Sequence, residues 1–435
     1  MTHHPSSPLR DMLGAQTSGK AAGIASICSA HPHVLRAAAR LAAQREVPLL
    51  VESTCNQVNQ DGGYTGMIPS QFATSIKKIA AEHGLPLDRL VLGGDHLGPY
   101  PWQKQPAAIA MEKARQMVVS YVQAGYTKIH LDASMRCADD PPGPLSKETI
   151  AERAADLCQA AEEAARQLST PGSELLYVMG TEVPTPGGAL GEDTGLQVTT
   201  PQDVEETLEL SRRACLQRGL EGAWERLIAW VVQPGVEFGE SSVHPYDRHK
   251  AQALSALIER HEHLVYEAHS TDYQSPQALR QLVEDHFAIL KVGPALTFAY
   301  REAVFALAWM EQEWLGTTPG VQLSRLPEVL DEVMRLDPRY WQGYHQGDEH
   351  LVQFARRYSL SDRIRYYWSV PTVQRARAQL FSNLEAHPVP PALLSQFMPV
   401  QFAKVQDGRL GMSLFEWVDD AIQMVLTGYY EACGE

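Results

Sequence analysis

The chain has 435 residues, 44% hydrophobic and 20% charged, which is the balance of a folded globular protein and excludes a disordered one. A formal net charge of −15 excludes a nucleic-acid partner, because phosphate backbones require a basic surface. The cysteines (Cys28, Cys55, Cys137, Cys158, Cys215, Cys433) are scattered without a Cys-x-x-Cys pair, which points to reduced thiols rather than a disulfide framework or a thiolate zinc site.

The N-terminal segment, residues 1–22, lacks a basic start followed by an apolar core, and no run of about 18 apolar residues follows anywhere. A cytoplasmic protein without a membrane span is expected. His3 and His4 in this segment are expected to be idle. From Gly23 to about Leu315 a short β-type run alternates with a helical stretch. The β-type runs are Gly23–Ser29, Pro48–Ser53, Leu90–Gly94, Lys128–Ala133, Leu175–Thr181, Leu227–Gln233, Leu264–Ala268 and Ala288–Gly293. Helical patterns lie between them at Pro32–Gln44, Pro69–His83, Ala107–Ala124, Lys147–Gln167, Pro201–Gln217, Arg248–Arg260 and Pro276–Asp285, with apolar residues recurring at three and four. Continuous apolar runs such as Leu227–Val232 suit parallel strands buried on both faces.

This alternation predicts an α/β fold, a TIM (β/α)₈ barrel over residues 23–315. An open doubly wound sheet would advertise a Gly-rich turn after an early strand. The first run ends instead in Cys28-Ser29-Ala30-His31-Pro32. A helix over Phe298–Trp314 follows the last strand. Residues 316–435 then read as a helical extension packed on the barrel, with helices over Asp331–Arg335, Asp348–Ser359, Ser361–Tyr367, Ser369–Ala386 and Leu414–Thr427.

In such a barrel the C-terminal strand ends converge on one mouth and carry the chemistry. Those ends hold Glu52 and Asn56, Asp95-His96, His130 with Asp132 and Ser134, Glu182, Gln233, Glu267 to Ser270, and Lys291 with Gly293. His96, Glu182, Gln233 and His269 supply two imidazoles, a carboxylate and an amide oxygen, a donor set for Zn²⁺ or alternatively Mn²⁺. Asp95 and Asp132 are candidates for proton transfer. On a regular strand Asp95 and His96 face opposite ways, and a bend at Gly93-Gly94 would turn both into the mouth. Glu52 either joins them in catalysis or, like Glu267, orients a metal-bound histidine. Asn56, Ser134, Glu267, Ser270, Lys291 and Gly293 are candidate substrate contacts. Asp61-Gly62-Gly63-Tyr64-Thr65-Gly66 lacks the Gly-Lys-Ser/Thr of a P-loop, so no ATP site is expected. The helix start at Gly293–Thr297 offers backbone N–H groups to a phosphate. The aromatic run Tyr366-Tyr367-Trp368 is expected in a core or interface, and His31, His83, His244, His261 and His286 as surface or locally satisfied residues.

Several longer blocks resemble the GatZ/KbaZ family, the large subunits of class II tagatose-1,6-bisphosphate aldolase. They are Val51-Glu52-Ser53-Thr54-Cys55-Asn56-Gln57-Val58-Asn59-Gln60, Gly93-Gly94-Asp95-His96-Leu97-Gly98-Pro99, Gly180-Thr181-Glu182-Val183-Pro184, Gln233-Pro234-Gly235-Val236-Glu237-Phe238, Glu267-Ala268-His269-Ser270-Thr271-Asp272-Tyr273-Gln274 and Leu290-Lys291-Val292-Gly293-Pro294-Ala295. The resemblance runs from about Gly23 to the C-terminus and implies a TIM barrel related to class II aldolases. It also implies a smaller catalytic class II aldolase subunit as partner, an oligomer, and a ketose or ketose phosphate as ligand. Some relatives are metal-dependent ketose or uronate epimerases, which gives the alternative of a stand-alone enzyme. The family also carries a tagatose-6-phosphate kinase label, which the missing P-loop does not support. Asp95-His96 resembles the catalytic Asp and first ligand His of class II aldolases, and His269 a later ligand His. Gln233 stands where another ligand His is expected, Ser270-Thr271-Asp272-Tyr273 replaces the family's Gly-Gly-Ser-Gly phosphate loop, and Val292-Gly293-Pro294-Ala295-Leu296 replaces its Asn-x-Asp-Thr-Asp segment.

Overall fold

The computed structural model describes residues 7–168, 174–180 and 196–435. Its centre is a closed barrel of parallel strands: β1 (Ile24–Ile27), β2 (Leu49–Thr54), β3 (Leu90–Leu97), β4 (Lys128–Leu131), β5 (Leu176–Gly180), β6 (Leu227–Val231), β9 (Val265–Ala268) and β10 (Phe287–Val292). Each strand pairs with the next in that order, and β10 returns to β1. The short hairpin β7 (Glu237–Phe238) and β8 (Val243–His244) sits outside the barrel after β6. The strands form where β-branched and aromatic residues cluster, as in Leu-Ile-Ala-Trp-Val of β6, which is buried throughout. Between strands, helices start on side-chain caps: Ser146, Thr200 and Ser275 each accept a backbone N–H from the first turn.

All eight expected strands are present. β3 runs past Gly94 through Asp95 and His96, and its register against β4 shifts between Gly94 and Leu97. That bulge, with φ of +49° at His96, is the bend the sequence required, placed later than Gly93-Gly94. Gly93 serves another purpose. A Cβ there would lie 2.6 Å from Glu52 Cγ, so its absence makes room for the Glu52 side chain.

The barrel interior has an apolar floor and a polar upper half. The floor joins Ile24, Leu50, Val91, Leu176 and Ile228 to Leu9, Met12 and Leu13 of the helix Ser7–Thr17, which plugs the N-terminal end. Its buried residues fall at Leu9, Met12, Leu13 and Gln16, the spacing of one helix face. Each buried aliphatic side chain contributes ~1.5–3 kcal/mol.

The extension differs in detail from expectation. Asp331–Arg335 is the centre of a longer helix, Leu326–Leu336, and Pro391–Phe397 and Pro399–Gln406 form two further helices that the sequence pattern does not announce. Ser361–Tyr367 is not an α-helix: Asp362 has φ +47°, and a 3₁₀ turn over Arg363–Tyr367 follows. The helix Leu414–Cys433 packs on the helices Pro32–Arg45, Pro276–Glu284 and Pro294–Leu315, at the seam where β1 meets β10. Among the described residues no helix is long and apolar enough to cross a membrane.

Candidate functional site

At the C-terminal ends of β3, β4 and β9, three imidazoles converge. The ring centroids of His96, His130 and His269 are 5.0, 4.9 and 5.3 Å apart for the pairs His96–His130, His96–His269 and His130–His269. Each ring is held by a carboxylate at one nitrogen. His96 Nδ1 lies 2.8 Å from Asp132 Oδ2, and His130 Nδ1 lies 2.8 Å from Asp95 Oδ1. His269 Nε2 is 3.0 Å from Glu267 Oε1. Asp132 is locked further by the Ser134 N–H and hydroxyl at 3.0 and 2.6 Å. The left-handed backbone of His96 and of Ser270 (φ +53°) sets these side chains at the mouth, a strained arrangement costing ~1–3 kcal/mol per residue.

Beneath the histidines lies a buried ionic layer. Lys128 Nζ, fully buried, reaches Glu52 at 2.8 and 2.9 Å and Glu267 Oε2 at 2.6 Å. Lys291 Nζ pairs with Asp95, with Glu267 Oε1 at 2.9 Å and with Glu52 Oε2 at 3.8 Å. Glu52 also accepts the Ser26 hydroxyl at 2.5 Å. Four carboxyl groups (Glu52, Asp95, Asp132, Glu267) therefore surround two ammonium groups (Lys128, Lys291), and burial raises Glu52 within this cluster despite both lysines. Burial and then the Lys291 charge hold His130 below the usual imidazole range and His269 well below it. Both rings are thus neutral and keep a lone pair for a ligand. Burial pushes the Asp132 carboxyl upward, but the His96 hydrogen bond and the neighbouring imidazoles outweigh it and hold Asp132 well below the carboxylate range.

The donor set fits a divalent ion. One donor atom each from Asp95, His130, Glu267 and His269 lies within 4.8 Å of all the others, and all four residues are buried. Among the described residues His130 Nε2 has no hydrogen-bond partner, a costly state for a buried nitrogen that a metal bond would relieve. A histidine held by a carboxylate at one nitrogen and open at the other is the usual form of a metal ligand. His96 belongs beside this set, because its ring meets both other imidazoles.

The sequence-predicted residues divide as follows. Asp95, His96, His269, Ser270, Lys291, Asn56 and Gly293 line one pocket, enclosing about 650 Å³ including its open mouth. Asp132, Ser134, Glu52 and Glu267 stand behind it as partners of the histidines and lysines. The Gln233 side-chain oxygen accepts the N–H groups of Gly235 and Val236 at 2.8 and 3.0 Å, so it closes its own turn. Glu182 lies outside the described residues. The backbone N–H groups at the start of helix Pro294–Leu315 are engaged: Asp272 Oδ1 accepts from Gly293 at 3.0 Å and Ala295 at 2.8 Å.

Sequence reasoning gave no site role to His130, Lys128, Cys28, Tyr64, Arg365 and Tyr366. The first two had a signal: positions 128 and 130 alternate with Ile129 and Leu131, so both point into the barrel. Arg365 and Tyr366 come from the extension and line the mouth, whereas the sequence places Tyr366 in a core or interface.

The sequence matches the family described as D-tagatose-1,6-bisphosphate aldolase subunit GatZ/KbaZ-like over residues 9–434. A protein of Sinorhizobium meliloti 1021, whose crystal structure is described as that of a probable tagatose 6 phosphate kinase, is 43% identical; the match covers 94% of this chain and 100% of that one at a TM-score of 0.85. A fructose-bisphosphate aldolase (Fba) from Campylobacter jejuni is 12% identical, with 86% of this chain and 90% of that one covered at a TM-score of 0.46, a likeness that carries no argument about activity. With the family match spanning nearly all of its length, the chain belongs to the GatZ/KbaZ-like family of D-tagatose-1,6-bisphosphate aldolase subunits.

Proposed function

We propose that this protein is the barrel subunit of a D-tagatose-1,6-bisphosphate aldolase, which stabilises a separate, smaller class II aldolase subunit and keeps a divalent-metal site of its own for a ketose or ketose phosphate. The observation that supports it best is the buried Nε2 of His130, which has no partner among the described residues, beside His96 and His269 and above a layer with more carboxyl than ammonium groups. A purely structural subunit would gain stability by replacing such a layer with apolar residues. Asp95, His130, Glu267 and His269 would hold the ion, with the His96 ring beside them. Zn²⁺ suits this nitrogen and oxygen set, and Mn²⁺ is the alternative. The ion, when bound, polarises a ketose carbonyl.

The chain's own groups do the rest. Asp132 and Asp95 orient the His96 and His130 rings. Lys291 shares Asp95 and Glu267, holds both ionised and so sets how much negative charge the mouth presents. Asp95 is the group placed to move a proton of the ligand, because it lines the pocket, while both Asp132 oxygens are engaged by His96 and Ser134. Asn56, Ser270 and Lys291 present polar atoms to the sugar hydroxyls. The same residues support the second reading, a stand-alone metal-dependent ketose or uronate epimerase or aldolase.

Metal analysis tests the shared premise. The purified protein should bind about one divalent ion per chain, and His130→Ala should abolish it. A wild type that binds none under saturating Zn²⁺ or Mn²⁺ removes the reading. Incubating the isolated protein with metal and tagatose, fructose or their phosphates separates the two roles. Product without a partner favours the stand-alone enzyme; activity or a raised Tm only in the presence of the small aldolase subunit favours the accessory role.

A further inference from the structure

We propose that a phosphate ester binds in a second pocket beside the histidine centre, held by Arg36, Arg377 and Arg365. The inference deepens the reading above, on which it rests for where the sugar end of the ligand lies. The pocket, about 1100 Å³ including its open side, lies between the loop after β1 and the extension. Its walls include Cys28, Gln57, Tyr64, Gly293, Arg365 and Tyr366, which also line the first pocket, so one ligand can occupy both.

The charge pattern carries the argument. Three arginines line this pocket and no Asp or Glu does. In a chain with a net charge of −15, about half of the arginines lie against a carboxylate, as Arg153 does against Asp140 at 2.5 Å; what sets this pocket apart is that its arginines gather around one cavity. Among the described residues none of the three has a carboxylate within ion-pair distance, but Arg365 is held by the Ser361 and Asp362 carbonyls and the Tyr366 hydroxyl, so Arg36 and Arg377 are the principal anion donors. Arg36 Nη2 lies 2.6 Å from His33 Nδ1, and Arg377 Nη1 lies 2.8 Å from His33 Nε2. Burial first, and then these two cations, lower His33 to about 3, so its ring is neutral. A neutral imidazole has a single acceptor nitrogen. Two guanidinium groups therefore share one acceptor, and one N–H donor of the pair is left facing a ring N–H. An anion that draws one guanidinium group off the ring would satisfy the donor left over.

Two further observations agree. Among the described residues His31 Nδ1, on the wall of the same pocket, is buried without a hydrogen-bond partner. Helix Pro32–Arg45, which carries His33 and Arg36 in its first turns, has no acidic residue in the first turn and no side-chain cap, so its positive end is uncompensated. The usual phosphate position of a barrel, at the helix after the last strands, is by contrast already filled by Asp272 against Gly293 and Ala295. Forked guanidinium groups match the oxygens of a phosphate dianion better than a single carboxylate does.

The test uses the full chain, with inorganic phosphate, tagatose 6-phosphate and tagatose as probes in calorimetric titrations without metal. Phosphate and the sugar phosphate should bind, and tagatose should not. Arg36→Gln and Arg377→Gln should each weaken phosphate binding about tenfold or more and leave Zn²⁺ affinity unaltered. His269→Ala should weaken Zn²⁺ binding and leave phosphate affinity unaltered, so failure of this pocket and failure of the metal centre are read separately. Should a variant fail to fold, wild-type protein suffices: phosphate should protect Arg36 and Arg377 from phenylglyoxal, read by peptide mass spectrometry. Absence of binding at millimolar phosphate, unchanged affinity in both variants, or no protection of the arginines overturns the proposal.

Discussion

The two pockets at the barrel mouth use the same side chain in opposite company. His96 and His130 each lean on an aspartate, whereas His33 lies between two arginines. A carboxylate at one imidazole nitrogen raises the basicity of the other and suits it to a metal. Guanidinium groups on both nitrogens make the ring a neutral spacer that holds two cations at a fixed separation. Histidine alone says little about the ligand; the charge of its partner decides it.

The largest expected effect lies in the ionic layer of the first pocket. Lys128→Met leaves Glu52 and Glu267 without their buried partner and should cost about 3–5 kcal/mol in urea unfolding. A loss under about 1 kcal/mol would mean that Lys291 compensates the layer alone, and the contrast in charge between the pockets would be weaker than drawn.

A second way to sharpen the comparison uses buried carboxyls. Asp132, beside His96, is held low, whereas burial raises Asp362, beside the arginine pocket, to about 7 despite Arg365 and Arg301. In the unfolded chain Asp362 ionises near pH 4, so the folded state binds the extra proton between about pH 4 and 7. Stability from this group is complete below about pH 4 and is lost as pH rises through about 7, by about 4 kcal/mol at most. Asp362→Asn should flatten that slope in pH-dependent unfolding, and an unchanged slope would show that Asp362 is ionised in the folded protein.

The smallest effect concerns orientation. Asp132→Asn removes the charge that fixes His96 and should weaken metal binding about 10–100-fold without abolishing it. Loss as complete as in His130→Ala would make Asp132 a ligand rather than a support.

The barrel was legible because each strand is a compact apolar run flanked by turn residues, and the period changes from two to about 3.6 at every helix. Asp95, His96 and His269 were legible because charge at a strand end is expensive without a purpose. His130 was seen at the fourth strand end but given no role because it sits inside an apolar run, where only its two-residue spacing from Lys128 marks it as facing the barrel interior. Gln233 looked like a ligand because its position matched one; its own turn takes up the oxygen. The arginine pocket was out of reach of any local pattern, since Arg36 and Arg377 meet only when the extension folds back on the barrel. The plug helix was missed in what read only as an N-terminal segment: Leu9, Met12, Leu13 and Gln16 share one face, but their partner is the barrel floor, which no neighbouring residue announces.

The helix Leu414–Cys433 has a consequence for the order of assembly. Tyr429 donates to the Thr271 carbonyl at 2.7 Å across 158 residues of sequence, and the Gly23 N–H donates to the Cys433 carbonyl at 3.0 Å. During synthesis on the ribosome all eight strands emerge long before this helix does. Until it arrives, the β1–β10 seam stays uncovered and the loop carrying His269 lacks its clamp, leaving an intermediate with exposed strand edges. A chain stalled before residue 414 is therefore expected to expose that seam, and the histidine cluster at the mouth gains its last support only when this helix docks.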